Sequence, residues 1–209
     1  MRRAGVGGSD CRLAVNCWIV IPIKAPDWCK TRLAPVLGDS ERRKLVAEML
    51  GQTVSAAQSV VGRQRVRLLG PSRHDLTDDI TLLPDAGHGL NTALDDARDA
   101  AIRAGVSRLL ILSADLPLIK ADDVAALLNL PGDSVAIAPD HAGTGTNAVS
   151  LPLPSASKFA FHYGDASFAA HRAEADRLGL PFLSLRRPGL EFDVDRPEEL
   201  ALWRQSRVL

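Results

Sequence analysis

The chain has no surplus of charge of either sign: Lys plus Arg and Asp plus Glu stand at 25 each. Nucleic-acid binding needs a basic footprint, so that class is disfavoured, whereas a local basic pocket for one small phosphorylated ligand is not. No Gly-x-x-x-x-Gly-Lys-Ser/Thr loop occurs in the chain, and no Gly-x-Gly-x-x-Gly turn follows the first apolar run, Leu13 to Ile23. A P-loop NTPase and a dinucleotide dehydrogenase are therefore both disfavoured. The run itself is interrupted at Asn16, ends at Pro22 and Lys24, and is too short to cross a bilayer. No small-residue cleavage site follows it, so neither a signal peptide nor a membrane anchor is expected. Cysteine is scarce and odd in number, at Cys11, Cys17 and Cys29, without Cys-x-x-Cys or Cys/His ligand spacing. Reduced thiols in a cytoplasmic protein are the expectation.

What is present is a globular chain of 209 residues, 46% hydrophobic, without repeat, low-complexity tract or linker. Residues 1–12, rich in Gly and Arg, read as a flexible tail, and residues 13–209 as one domain. Apolar runs at Leu13–Ile23, Arg65–Leu69, Ile80–Leu83, Leu109–Leu112, Ser134–Ala138, Asn147–Leu153 and Phe182–Leu185 read as strands. Phe159, Phe161 and Tyr163 alternate like a further strand. Helical spacing runs from Asp39 or Ser40, as N-cap, to Val61, then from Leu90 to Ala101. It recurs at Asp122–Leu130, Ser167–Leu178 and Pro197–Arg204. Strands alternating with helices imply an α/β fold with a mainly parallel sheet covered on both faces. Ligands of such sheets collect beyond the carboxyl ends of the strands.

Three acids carry most of the chemical information. Asp115 ends the apolar run Leu109–Leu112, and Asp193-Val-Asp195 lies near the C-terminus. Residues alternate sides in an extended segment, so Asp193 and Asp195 face the same way. Carboxylates converging at strand ends need a cation between them, and hard oxygen ligands suit Mg²⁺ bridging to substrate phosphates. Two of the acids also have a structural reading, Asp115 as a helix cap or turn residue and Asp195 as the N-cap of the last helix, and Asp193 has none.

The loop after the first strand carries Lys24, Lys30 and Arg32, either a solvated basic loop or a cradle for a triphosphate. Gly87-His-Gly89-Leu-Asn91 opens a helix and lets backbone approach a ligand closely. Gly143-Thr-Gly-Thr146-Asn147 is either an ordinary hairpin or an anion nest. Gly164-Asp-Ala-Ser167 opens another helix, where Ser167 could cap it or present N–H groups to a phosphate.

Taken in order, these segments resemble the 2-phospho-L-lactate guanylyltransferase family, whose members act in biosynthesis of the deazaflavin coenzyme F-420. The matching stretches are Ile21-Pro-Ile-Lys24, Lys30-Thr-Arg32-Leu-Ala-Pro35, Gly89-Leu-Asn91-Thr-Ala-Leu94 and Ala114-Asp115-Leu-Pro117. They continue with Ala138-Pro-Asp140, Gly143 to Asn147, Phe161 to Gly164, Ser167-Phe168, His171, and Asp193-Val-Asp195-x-Pro197-Glu198-Glu-Leu200. The likeness spans Trp18 to Trp203. His88 stands where a further glycine is usual, and Ser113 where proline is frequent. The resemblance implies a Rossmann-like nucleotidyltransferase fold acting on GTP, Mg²⁺ and a small phosphorylated acid: 2-phospho-L-lactate, phosphoenolpyruvate or 3-phospho-D-glycerate. By motif, Asp115, Asp193 and Asp195 would hold the metal, and Thr146, Gly164 and Ser167 the acceptor. Lys24, Lys30 and Arg32, with Gly87, Gly89 and Asn91, would serve the nucleotide. A homodimer is left open as a partner. Two rivals stay open from the residues alone: a metal-dependent glycosyltransferase using a sugar nucleotide, and a nucleotide-binding regulatory module.

Overall fold

The computed structural model describes residues 16–25, 29–74, 76, 79–85 and 87–207. The expected tail, residues 1–12, and the beginning of the first apolar run at Leu13 lie outside the described residues.

Seven strands form one sheet: β1 (Cys17–Pro22), β2 (Val66–Leu69), β3 (Thr81–Leu83), β4 (Arg108–Leu112), β5 (Val135–Pro139), β6 (Thr146–Pro152) and β7 (Phe182–Ser184), in the order β3-β2-β1-β4-β6-β5-β7. β1 pairs in parallel with β2 and with β4, β2 with β3, and β5 with β7. β6 runs antiparallel to both its neighbours, β4 and β5. The sheet is thus mainly parallel with one reversed strand, as the alternation of elements implied. The reversal is possible because β5 and β6 are joined by a short hairpin, residues 140–145, instead of a helical crossover.

Period two along the strands sorts side chains to opposite faces. Ile19, Ile21, Leu110 and Leu112 enter one core layer, while Val20, Leu109 and Ile111 enter the other. The first layer is covered by α1 (Asp39–Val61) and α3 (Ala121–Leu128) through Leu50, Val54, Ala57, Val124 and Leu127. The second is covered by α2 (Leu90–Arg103) and α4 (Ser167–Arg177), chiefly through Leu94, Ala97, Ala101 and Ala175. A short α5 (Pro188–Glu191) and a C-terminal α6 (Pro197–Ser206) complete the element order. α1 begins one residue beyond Gly38, whose backbone N–H donates to the Glu41 carboxylate at 2.9 Å. Gly38, not Asp39 or Ser40, is therefore the N-cap.

The stretch containing Phe159, Phe161 and Tyr163 forms no strand. Its alternation is real, but its backbone is claimed by side chains. The Phe159 carbonyl accepts from Arg98 of α2. The Ala160 N–H donates to Glu174 of α4 at 2.9 Å, and the His162 N–H to His171 of α4 at 2.9 Å. Asn91 of α2 takes both the N–H and the carbonyl of Tyr163, at 2.7 and 3.1 Å. A segment whose donors and acceptors are satisfied this way has nothing left to pair with a sheet.

Because β6 is reversed, the loops after β1, β2, β3, β4 and β5, together with the start of β6, emerge at one edge of the sheet. The Ser113 N–H donates to the Asn147 carbonyl at 2.9 Å, joining the loop that carries Asp115 to the base of the hairpin. The loops after β1 and β2 press so closely that a Cβ on Gly70 would collide with the Ile23 carbonyl oxygen. Only glycine fits there.

Candidate active site

Asp193-Val194-Asp195 is anchored by its middle residue. Val194 is fully buried in a third cluster with Leu33, Leu37, Leu45, Met49, Leu200 and Trp203. Burying that side chain is worth about 1.5–3 kcal/mol, and it leaves the two flanking acids at the surface of the cluster. The Glu199 carboxylate accepts from the backbone N–H of Asp195 at 2.6 Å and of Arg196 at 2.8 Å. It caps α6 and fixes the backbone beneath Asp195, whose carboxylate is not the cap.

Lys30 enters from the other side, its backbone in the left-handed region at φ 54 before the single 3-10 turn Thr31–Leu33. Its Nζ donates to Asp115 Oδ2 at 2.5 Å and to Asp195 Oδ1 at 3.0 Å, and only 8% of its side chain is exposed. Arg32 Nη1 donates to the second oxygen of Asp195 at 2.8 Å, with 66% of its side chain exposed. The cation between Asp115 and Asp195 is thus the protein's own ammonium. Burial alone would lower the pKa of Lys30, but the two carboxylates hold it above the ordinary lysine range. Burial raises that of Asp195, but Lys30 and Arg32 carry it below its usual value.

Asp193 differs. Among the described residues its side chain has one hydrogen bond, a long one of 3.4 Å from Asn147 Nδ2, which also donates to the Leu190 carbonyl at 3.0 Å. Burial, with Asp115 as the next cause, pushes the Asp193 carboxyl up to about 6. A buried carboxyl pushed up beside a second carboxylate is an arrangement a divalent cation relieves. Among the described residues no three His, Cys, Asp or Glu side chains gather closely enough to hold a metal between them. Mg²⁺ is commonly held by one or two carboxylates plus substrate phosphates and water, and Asp115 with Asp193 fits that donor set. Asp115 spends one oxygen on Lys30, whereas both oxygens of Asp195 are engaged, by Lys30 and by Arg32.

A cleft of about 620 Å³ opens beside this cluster. Lys24, Lys30, Ser113, Asp115 and Asp195 line it on one side, and Asp85, Gly87, Leu90 and Tyr163 on another. Of the residues expected to serve the nucleotide, Lys24, Lys30 and Gly87 reach the cleft. Arg32, Gly89 and Asn91 are not among its walls. Asn91 instead spends most of its amide on the Tyr163 backbone. Tyr163 brings a buried hydroxyl with no hydrogen-bond partner among the described residues, and burial holds its pKa above the ordinary phenol range. It stays a neutral donor.

Thr146 and Ser167 meet one layer behind the cleft, at 7% and 2% exposure, with a 3.2 Å hydrogen bond between their hydroxyls. Ser167 is the first residue of α4, after Ala166 as N-cap, and its hydroxyl serves Thr146 and not the helix backbone. The glycine-rich loop is the hairpin between β5 and β6, and Thr146 stands at its end. Gly164 is exposed, with φ 135, a conformation side chains rarely adopt. Thr146 also contacts His171, a residue given no role by its sequence. Its position four after Ser167, on one helix face, was the available signal.

A mainly parallel sheet with acids and a buried lysine gathered at its carboxyl edge is the frame of a nucleotidyltransferase. Solved structures agree on the fold. A Desulfovibrio desulfuricans protein assigned as a nucleotide-diphospho-sugar transferase matches with a TM-score of 0.75 at 18% identity, over 92% of this chain and 88% of that one. A cytidylyltransferase from Leptospira borgpetersenii matches with a TM-score of 0.55 at 13% identity, over 89% and 84%. The sequence is more specific: residues 17–202 match the family described as Guanylyl transferase CofC like, and the chain belongs to that family. It is 40% identical to the phosphoenolpyruvate guanylyltransferase of Sphaerobacter thermophilus, over 87% of this chain and 89% of the relative. It is 33% identical to the 2-phospho-L-lactate guanylyltransferase of Methanothrix thermoacetophila, over 89% and 81%. The glycosyltransferase and regulatory-module readings give way to a guanylyltransferase.

Proposed function

We propose that this guanylyltransferase moves GMP from GTP to the phosphate of phosphoenolpyruvate or 2-phospho-L-lactate, in a route to coenzyme F-420. The observation that carries the reading is the Lys30–Asp115–Asp195 cluster, with Asp193 beside it, at the wall of the 620 Å³ cleft. The third acid from the sequence reading, 3-phospho-D-glycerate, offers the same phosphate and is a third arm of the assay. In the reaction an acceptor phosphate oxygen bonds to the α-phosphorus. The bond from that phosphorus to its bridging oxygen breaks, and pyrophosphate leaves with the electron pair. A phosphate monoester is already anionic near neutral pH, so no general base is needed.

The residues divide the work. Lys24, exposed at the cleft wall, meets the triphosphate. Lys30 holds Asp115 and Asp195 in place, so it orders the acids more than it wraps the phosphates. Asp115 and Asp193 would hold Mg²⁺, which when bound offsets charge on the triphosphate. Asp85 supplies an acceptor carboxylate in the cleft, suited to the N1–H and N2–H groups of guanine and mismatched to adenine. Thr146, Gly164 and Ser167 receive the phosphorylated acid through hydroxyl and N–H donors.

Incubation with GTP, Mg²⁺ and each of the three acids separately, with mass detection of the guanylylated product, tests the reading. Product with one acid and none with ATP is expected, and Asp85→Asn should narrow the preference for GTP over ATP. Absence of GMP transfer to all three would overturn it.

A further inference from the structure

We infer that His171 is a positioning residue of the acceptor site: as a proton donor at Nδ1 it frees one hydroxyl proton of the Thr146–Ser167 pair for the acceptor's anionic group. The inference rests on the acceptor reading above and adds a residue to it.

The argument is a count of protons. The His162 backbone N–H donates to His171 Nε2 at 2.9 Å. A backbone amide can only donate, so Nε2 carries no hydrogen and the ring proton of the neutral imidazole sits on Nδ1. Nδ1 lies 3.1 Å from Thr146 Oγ1, which must therefore accept from it. Ser167 Oγ lies 3.2 Å from the same oxygen. Whichever hydroxyl donates within that pair, one proton of the two is left over. With the opposite tautomer, Thr146 would donate to the ring, Ser167 to Thr146, and no donor would remain.

The surroundings keep the ring neutral. His171 is fully buried between Phe159, stacked at 5.9 Å, and Tyr163, edge-on at 4.9 Å. Burial, then the charge of His162, lower its pKa to about 4 against the opposing pull of Glu174. A phosphate or carboxylate takes only donors, so a pair of hydroxyls with one uncommitted proton suits it, and a closed pair would not. The same ring packs on Tyr163, which lines the cleft, so Tyr163 links His171 to the cleft wall.

Two measurements test this. Long-range ¹⁵N–¹H correlation at pH 7, with the His171 signal identified by its loss in His171→Asn, should show the neutral Nδ1–H tautomer. An Nε2–H or doubly protonated ring overturns the inference. Steady-state kinetics should then split KM: His171→Phe raises the KM for phosphoenolpyruvate, or for 2-phospho-L-lactate if that is the acid guanylylated, about tenfold and leaves that for GTP within about twofold. His171→Asn, whose amide can donate from near the Nδ1 position, recovers part of the loss. An unchanged acceptor KM in a folded His171→Phe, or no recovery in His171→Asn, overturns the inference. Thr146→Val separates the two readings. If it raises the acceptor KM while His171→Phe does not, only the role of His171 fails; if it too leaves the acceptor KM unchanged, the acceptor site lies elsewhere and both fail.

Discussion

Two polar clusters, one at the cleft wall and one packed behind Tyr163, are built on opposite principles. The acid cluster holds charge: Lys30 and Arg32 against Asp115 and Asp195, with Asp193 unpaired apart from a long contact to Asn147. The His171 cluster holds none. Thr146, Ser167 and His171 are buried and linked by neutral hydrogen bonds, with one hydroxyl proton left over. Charge at strand ends is tolerated because the cluster is partly solvated, Asp115 and Asp195 keeping 29% and 39% of their side chains exposed. In the dry cluster a charge would cost far more, so recognition there is left to fixed dipoles. The first arrangement suits a triphosphate and a cation, the second an acceptor that must be oriented.

The comparison can be broken most forcefully at the acids. Asp115→Asn and Asp193→Asn should each lower kcat by at least ~10²-fold, the scale of lost transition-state charge stabilisation. The thermal midpoint should fall in Asp115→Asn, which leaves the buried Lys30 with one carboxylate in place of two. It should rise in Asp193→Asn, because a carboxyl pushed up to about 6 by burial and by Asp115 gives way to a neutral amide. Near-normal turnover in both variants would remove the catalytic role of the cluster.

Acid pH sharpens the contrast through opposite signs. His171 titrates near 4 in the fold and near 6.5 when unfolded, so the unfolded chain takes up the proton first. Its contribution is present above pH 6.5 and is lost as pH falls toward 4, on the order of 3 kcal/mol over the window. Asp193 does the reverse. Its carboxyl is raised from 3.8 to about 6, so its contribution is full below 3.8 and is lost as pH rises through 6. Urea midpoints from pH 7 to 4 should therefore fall more steeply in Asp193→Asn than in the parent and less steeply in His171→Asn. Parallel profiles in all three would contradict the assignment.

A smaller effect is expected at Ser167. Ser167→Ala removes one hydroxyl of the pair and should weaken acceptor use by roughly 1–2 kcal/mol, read as acceptor KM with GTP titrated separately. A change in GTP binding with the acceptor spared would exchange the two subsites. The smallest change belongs to Arg32. Its side chain is two-thirds exposed, so Arg32→Ala should shift stability by no more than about 1 kcal/mol. A larger loss in urea unfolding would show that the salt bridge to Asp195 behaves as a buried one.

Much of the fold was legible. The period of the apolar residues marked every strand of the sheet and the five longest helices to within a few residues. The short α5 escaped because four residues carry too little pattern. The stretch from Phe159 to Tyr163 misled for a different reason: its alternation reported burial, while Asn91, Arg98, His171 and Glu174, far away in sequence, decided where its backbone hydrogen bonds go. In the site, Asp115 drew notice at the end of an apolar run, and Asp193 and Asp195 by their alternation around Val194. That Lys30 would stand between two of them was not legible, since it needs residues 85 and 165 positions away in sequence.

The sequence by itself determined the element types, the two-faced core and the inventory of acids, basic residues and glycines, because these follow from local periodicity and side-chain chemistry. Tertiary structure alone decided which groups are neighbours and therefore what each one is. It made Lys30 the counter-ion of Asp115 and Asp195, left Asp193 with a raised carboxyl, reversed β6 so that Thr146 begins at the carboxyl edge, and set the His162 amide against one nitrogen of His171. Protonation, hydrogen-bond direction and ligand reach are fixed by distances of a few ångströms between residues remote in the chain, and those distances exist only once the sheet is assembled.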